Sequence, residues 1–225
     1  MTQANSKPHA VVIGGGATGC GVARDLTLRG FIVTLVEFGD LGSGTSSRFH
    51  GMLQSGARYA VSDTDYGAEC MRERLIVADL APKDEDETDG LFVSLPDAPP
   101  EFADKFLEGC QNARIPVQEM DPDQVMAEEP AISRNVLRAF SVPDATVQSW
   151  RLVNLLADDV RRMGGTILTR HQVTAIDTSG GTVRSVHVVG EAGEQTIEAD
   201  IVVNAAGPWS ARVAELVGES ADLEL

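Results

Sequence analysis

The run Ala10-Val11-Val12-Ile13-Gly14-Gly15-Gly16-Ala17-Thr18-Gly19 sets three glycines where a chain can wrap an anion, and Glu37 follows 23 positions after Gly14. Each glycine has a separate physical task. Gly14 permits a tight turn, Gly16 lets backbone approach a pyrophosphate, and Gly19 lets helix and strand pack closely. Amides and dipole at a helix N-terminus then hold the anion. An acid at the end of the second strand bonds both ribose hydroxyls and repels a 2′-phosphate. The chemistry is dinucleotide binding, with FAD or NAD as ligand. A glycine triplet alone fits a plain glycine-rich turn equally well; strand, helix, second strand and acid in order point to the nucleotide.

Two further stretches could extend such a site. In Gly42-Ser43-Gly44-Thr45-Ser46-Ser47-Arg48, small hydroxyl residues and bare amides could run along an extended ligand, or form an ordinary polar loop. In Ile201-Val202-Val203-Asn204-Ala205-Ala206-Gly207-Pro208-Trp209, an apolar strand ends in small residues. That brings backbone to the C-terminal edge of a parallel sheet, where ligands bind, or makes a buried strand with a glycine turn.

The elements that must position these residues read as an interrupted α/β layer. Residues 10–14 form a strand, Thr18 to about Arg29 a helix closed by Gly30, and Phe31 to Val36 a buried strand suited to a parallel sheet. A helix is expected over Asp65–Leu80, with Cys70, Ile76, Val77 and Leu80 on its inner face. The acidic run Asp84 to Asp89 reads as a solvated loop. Leu91–Leu95 and Arg138–Val142 read as strands, Glu101–Asn112 and Trp150–Met163 as helices. Four strand-like runs follow between Thr166 and Ile197, with Gly180-Gly181 and Ala192-Gly193 in turns, before the last strand and a closing helix. The expected fold is an α/β Rossmann-like domain with a parallel sheet, interrupted by a small α+β segment on the substrate side. The expected division is 1–90 and 146–225 for the nucleotide domain and 91–145 for the insertion, with no flexible linker to make it an independent domain.

Composition narrows the classes. The chain has 225 residues and 43% hydrophobic content, enough for a core. Asp and Glu number 34 against 18 Lys and Arg, a net charge of −16, and the lysines are Lys7, Lys83 and Lys105 alone. Such self-repulsion opposes compaction at ordinary ionic strength. At about 1 M salt the Debye length is roughly 3 Å, so carboxylates serve as hydrated surface. We read adaptation to a saline cytoplasm, beside an ordinary acidic protein. Without a basic stripe, nucleic acid is excluded as a partner. No apolar stretch approaches the roughly 20 residues of a membrane span, and the N-terminus lacks a signal-peptide core, so a cytoplasmic or peripheral location is expected. Cys20, Cys70 and Cys110 are widely spaced without a CxxC, which suggests reduced thiols and neither disulfides nor a metal site.

The sequence resembles the FAD-dependent glycerol-3-phosphate dehydrogenases, particularly the catalytic subunit of the anaerobic type, within the wider group of D-amino-acid-oxidase-like flavoproteins. The resemblance rests on Ile13–Gly19, Ala23-Arg24-Asp25, Leu28-Arg29-Gly30 and His50-Gly51-Met52-Leu53-Gln54-Ser55-Gly56-Ala57-Arg58-Tyr59-Ala60-Val61. Gly90-Leu91-Phe92, Glu129-Pro130-Ala131, Val142-Pro143-Asp144 and Asn204-Ala205-Ala206-Gly207 continue it in order. The glycine motif is common to many flavoproteins; Ser-Gly-Ala-Arg-Tyr is much narrower.

The resemblance implies FAD, oxidation of sn-glycerol 3-phosphate to dihydroxyacetone phosphate, and electrons passed to a quinone through partner subunits. Those partners would bring peripheral association with the inner face of the cell membrane. It places Gly14, Gly16, Gly19 and Glu37 on the AMP half, Thr45, Ser46 and Ser47 on the diphosphate and ribityl chain, Val173 backbone at adenine, and Ala206 and Gly207 near the cofactor. Arg58 becomes a phosphate clamp, since a guanidinium fork suits phosphate oxygens; a surface ion pair is its other reading. Tyr59 is a neighbouring wall or core. Gln54 stands where many relatives have histidine and cannot act as a base; His50 is the substitute, or a structural residue. The family's chains continue well past Leu225, so the chain is expected to be a fragment or a truncated product without turnover of its own. The alternatives are oxidation of an amine or a 2-hydroxyacid, with Arg58 on a carboxylate, and a non-catalytic FAD-binding subunit.

Overall fold

Ala10, Val11 and Val12 are fully buried, and Ile13 nearly so, which a strand reaches only when both faces of its sheet are covered. In the computed structural model, which describes residues 7–80 and 85–219 (backbone alone for 85–87), this run is the second strand of four in a parallel sheet. The elements in chain order begin with β1 (His9–Ile13), α1 (Ala17–Leu28), β2 (Ile32–Val36), β3 (Met52–Leu53), α2 (Thr64–Leu80), β4 (Glu85–Glu87) and β5 (Gly90–Ser94). They continue with α3 (Phe102–Asn112), β6 (Gln118–Met120), α4 (Pro122–Glu128), β7 (Arg138–Val142), β8 (Ala145–Val147) and α5 (Ser149–Arg162). The last are β9 (Thr166–Leu168), β10 (Gln172–Ser179), β11 (Thr182–Gly190), β12 (Gly193–Glu198), β13 (Ile201–Asn204) and α6 (Ser210–Glu215).

Two compact units share the chain, divided after Phe49 and after Gln148. The first holds the parallel sheet, in the order β13-β1-β2-β9. Helix α1 crosses over between β1 and β2, and α5 packs beside it, held by Arg24 Nε donating to Asp159 at 2.6 Å. That bond, with a second from Arg162, keeps the Asp159 carboxyl below its ordinary range. An antiparallel sheet, β10-β11-β12, turns one face inward, so that Ile176, Val186 and Val188 share a core with Val11, Ile13 and Val36.

The second unit carries two three-stranded antiparallel sheets, β3-β8-β4 and β5-β7-β6. Its core stacks Phe106 on Phe92, with centroids 4.8 Å apart, and adds Phe140, Met71 and Ile115. The expected insertion began at residue 91, whereas the unit begins at His50. Residues 50–80 group with it because α2 packs on its core: Gly67 and Met71 face that core, with Gly67 against Ile115 and Ala113.

Two local expectations are corrected. The inner face of α2 is Gly67, Met71 and Arg74, and Ile76 is 51% exposed. The polar helix surface gives little periodicity, so the close approach at Gly67 decides its rotation. Within the acidic run, Asp84 lies outside the described residues, while Glu85–Glu87 form β4, paired antiparallel with β8. Backbone pairing is open to any residue except proline, and a charged strand suits the edge of a sheet, where it discourages further pairing. Among the described residues, no helix is long and apolar enough to cross a membrane.

Candidate functional site

The turn after β1 is built by crossing backbones. Gly14 has φ +115° and donates to Val36 O at 2.8 Å, while Ala205 N donates to Ile13 O at 2.8 Å. A side chain at Gly14 would overlap the Ala205 carbonyl, and one at Gly19 would overlap the Gly14 carbonyl. Glycine at these two positions lets strand ends and helix start meet at the C-terminal edge of the sheet.

Gly16 is the N-cap of α1, in extended conformation and without a side-chain cap. The first amides of a helix lack intrahelical acceptors. Ala17 N donates instead to Ser46 Oγ at 2.9 Å, a residue 29 positions later. Thr18 and Gly19 leave their amides at the same end of the dipole, where an anion is stabilised. Ser46 belongs to a 3-10 turn, Thr45–Ser47, whose loop is drawn over the glycines by Gly42 N donating to Gly15 O at 2.9 Å. Ser47 Oγ turns back to Gly44 O at 3.3 Å, and Thr45 is exposed.

Glu37 is half-buried at the end of β2. Gly15 N donates to its Oε2 at 2.6 Å and Gly39 N to its Oε1 at 2.7 Å. A carboxylate offers about four acceptor positions, so two remain for hydroxyl donors. The residues fit a dinucleotide: orphan amides for phosphate, an oriented carboxylate for ribose, and bare backbone at Gly16. The fit includes the far strand. Glu37 N donates to Leu168 O, and His171 N donates to Glu37 O at 2.9 Å, which laces the segment before Val173 to the acid. Val173 itself sits at a register shift of β10 against β11, where ladder pairing is interrupted.

Ala206 and Gly207 follow β13 after Ala205, with Ala206 N donating to Asn204 Oδ1 at 3.3 Å. Trp209 was not singled out by sequence reasoning. Its ring stands where a side chain at Gly44 would touch it, at 3.4 Å. The pairing Gly44–Trp209 joins distant loops and leaves no local signal. All ten cofactor candidates, Gly14, Gly16, Gly19, Glu37, Thr45, Ser46, Ser47, Val173, Ala206 and Gly207, therefore fall in the first unit.

Cys20 lies under this cradle, fully buried, with its thiol pushed up to about 12 by burial first and by the Glu37 charge second. Cys110, in the second unit, is raised to about 11 by burial. Both stay protonated at neutral pH, and only thiolates react. Native alkylation at about pH 8, read by mass spectrometry, should label Cys70 and spare Cys20 and Cys110. An unfolded cysteine ionises near 9. Stability is therefore complete below that pH and falls as pH rises toward the folded values. Cys20→Ser should reduce this alkaline loss in urea melts at about pH 10.

His50, Arg58 and Tyr59 lie in the second unit. Ser55 N donates to the buried Asp144 at 2.6 Å, and Gly56 turns with φ +88° against Gly67 O and Cys70. This anchors a 3-10 turn, Ala57–Tyr59, that buries Ala57 and leaves Arg58 exposed. Arg58 Cζ lies 5.3 Å from the Tyr59 ring centroid, and Tyr59 is edge-on to Tyr66 at 4.8 Å. No carboxylate among the described residues pairs with Arg58, so the ion-pair reading finds no partner there. His50 Nδ1 accepts from Met52 N at 3.0 Å. In the neutral ring that places the proton on the other nitrogen, and base chemistry at that atom requires the opposite tautomer. Asp144, which sequence reasoning used only as part of Val-Pro-Asp, is the residue that fixes the turn.

The chain matches the family described as DAO, FAD dependent oxidoreductase, over residues 9–224. It is 41% identical over 218 residues to a subunit of the anaerobic glycerol-3-phosphate dehydrogenase of Escherichia coli (strain K12), covering 95% of this chain and 40% of that protein. It is 39% identical over 227 residues to the corresponding subunit from Haloferax volcanii, covering 96% of this chain and 39% of that protein. The chain thus spans about 40% of the length of the curated relatives it matches. Among solved structures, glycerol-3-phosphate dehydrogenase from Bacillus halodurans complexed with FAD superposes with a TM-score of 0.68 at 24% identity, over 94% of this chain and 36% of that one. That likeness speaks for the fold.

Proposed function

The chain belongs to the FAD-dependent oxidoreductase family, whose cofactor is FAD, and on that premise we propose that it forms the FAD-binding part of an enzyme oxidising sn-glycerol 3-phosphate to dihydroxyacetone phosphate. The observation that carries the reading is 41% identity, along 95% of the chain, to part of a glycerol-3-phosphate dehydrogenase. The cradle around Gly14, Gly16, Gly19 and Glu37 supports it. Bound FAD would supply the two-electron acceptor for the carbinol carbon. The amides at the start of α1, with the loop of Thr45, Ser46 and Ser47, hold the diphosphate and ribityl chain. Glu37 accepts from ribose hydroxyls, Val173 offers backbone to adenine, and Ala206 and Gly207 bring bare backbone near the ring system. Arg58 grips the substrate phosphate in a bidentate fork, and Tyr59 braces its guanidinium. His50 takes the hydroxyl proton after a change of tautomer. Electrons leave to a quinone through partner subunits, which bring the assembly to the membrane face. The nucleotide domain is discontinuous, closed by the segment from Ser149 on.

The test is anaerobic titration of the flavin-loaded protein. sn-Glycerol 3-phosphate should bleach the flavin absorbance, while amino acids and 2-hydroxyglutarate should leave it unchanged. Bleaching by one of those others moves the substrate to the amine or hydroxyacid class, and failure to retain flavin removes the reading altogether. Arg58→Ala should raise the glycerol 3-phosphate concentration that half-maximally bleaches the flavin about 10- to 100-fold, the loss of a charge-assisted hydrogen bond, with flavin retention unchanged. Equal half-bleaching concentrations for variant and parent would remove the clamp.

A further inference from the structure

We propose that Arg170 grips the adenine end of the dinucleotide, its guanidinium plane lying on the base; this rests on the FAD reading above. Arg170 occupies the turn between β9 and β10 with φ +57°, a left-handed backbone that glycine adopts freely and arginine does not. Arginine lacks the short polar side chain that eases this conformation for asparagine or aspartate, so the surroundings impose it. They do so by three bonds. Arg170 N donates to Gly39 O at 3.0 Å, His171 N donates to Glu37 O at 2.9 Å, and the His171 ring bonds Thr169 O at 2.7 Å. The turn is thereby fastened to the very segment that presents Glu37 to a ribose, three residues before Val173. Strain kept in place beside a ligand site points to a use for the side chain it aims.

The Arg170 side chain lines an open cleft with Asp40, Thr169, His171, Glu191 and Ala192. Its Nε lies 3.2 Å from Asp40, and one terminal nitrogen lies 4.0 Å from Glu191. All three side chains are well exposed, at 64%, 70% and 86%, and the Glu191 contact is too long for a hydrogen bond. Exposed pairs of this kind hold little. They engage the edges of the guanidinium and leave its flat faces for another partner. A planar cation on a purine ring is a favourable stack, and it requires the guanidinium fork rather than a point charge. The same cation sits between Asp40 and Glu191, whose charges would otherwise repel an anionic dinucleotide.

Dissociation constants for FAD and for ADP, read by flavin fluorescence and competition, test this in the 225-residue chain, with urea melts alongside. Arg170→Ala should weaken both ligands about tenfold. Arg170→Lys should show nearly the same loss, because an ammonium keeps charge without the plane. Arg170→Gly should lose affinity while its urea midpoint rises, since glycine relieves the backbone. Parent-like affinity in Arg170→Ala, or full affinity in Arg170→Lys, overturns the stacking contact while FAD binding itself stands. A parent that binds neither FAD nor ADP overturns both.

Discussion

Gly14→Ala should destabilise the first unit by more than about 4 kcal/mol, in the range of mutations that strain a special backbone and overpack at once. Two independent costs meet at this position. The backbone sits at φ +115°, where alanine is strained, and the new methyl would overlap the Ala205 carbonyl. Neither can be escaped by a small rotation. Gly14 N is bonded to Val36 O, and Ala205 N to Ile13 O, so both sides of the turn are fixed to neighbouring strands. Relaxation would have to separate β13 from β1. Gly30→Ala supplies the control: its φ is +89°, but nothing lies within 4 Å of the added carbon. It should cost only about 1 kcal/mol, the conformational part. Urea melts followed by circular dichroism measure both. Equal midpoints for the two variants would mean that the crossing of Gly14 and Ala205 is not a tight one.

Glu37→Ala should weaken FAD binding about a hundredfold or more, the loss expected when charge-assisted bonds to two hydroxyls disappear. The carboxylate has a second duty, which sharpens the test. It accepts from Gly15 N and Gly39 N at 2.6 and 2.7 Å, so its removal strips the glycine turn of an internal partner. Glu37→Gln keeps one acceptor oxygen but turns an NH2 toward the other amide, and should fall between parent and alanine. The charge has a further reporter in Cys20, whose ionisation Glu37 opposes. In Glu37→Gln the thiol should ionise at lower pH than in the parent, read by thiolate absorbance at about 240 nm. Stoichiometric FAD in Glu37→Ala would remove the ribose assignment.

Several features were legible because they are local. The buried run Ala10–Ile13, the glycine turn, α1 and β2 each announce themselves within a dozen or so residues, through periodicity and spacing. Parallel pairing follows, since a helix between two buried strands must return the chain to the same edge. Glu37 was legible for the same reason: its distance from Gly14 is set by one crossover.

Other features came from tertiary packing alone. Nothing in residues 64–80 says that Gly67 and Met71 face inward while Ile76 stays out; Ile115 and Ala113, from a later element, choose the face. Nothing in Glu85–Glu87 predicts a strand, because its partner β8 lies about 60 residues away and pairing needs only backbone (a register no local pattern records). The amino-acid sequence by itself determined that a β-α-β crossover with a glycine turn exists and which acid stands at the end of its second strand, because those are short-range consequences of turn geometry and burial. Only the folded chain decided that Ser46 caps the helix it never neighbours, that Asp144 anchors the Arg58 turn, and that the Arg170 turn is bonded to the backbone of Glu37 and Gly39. Those bonds join residues far apart in the chain, and their partners become defined only when the strands have met.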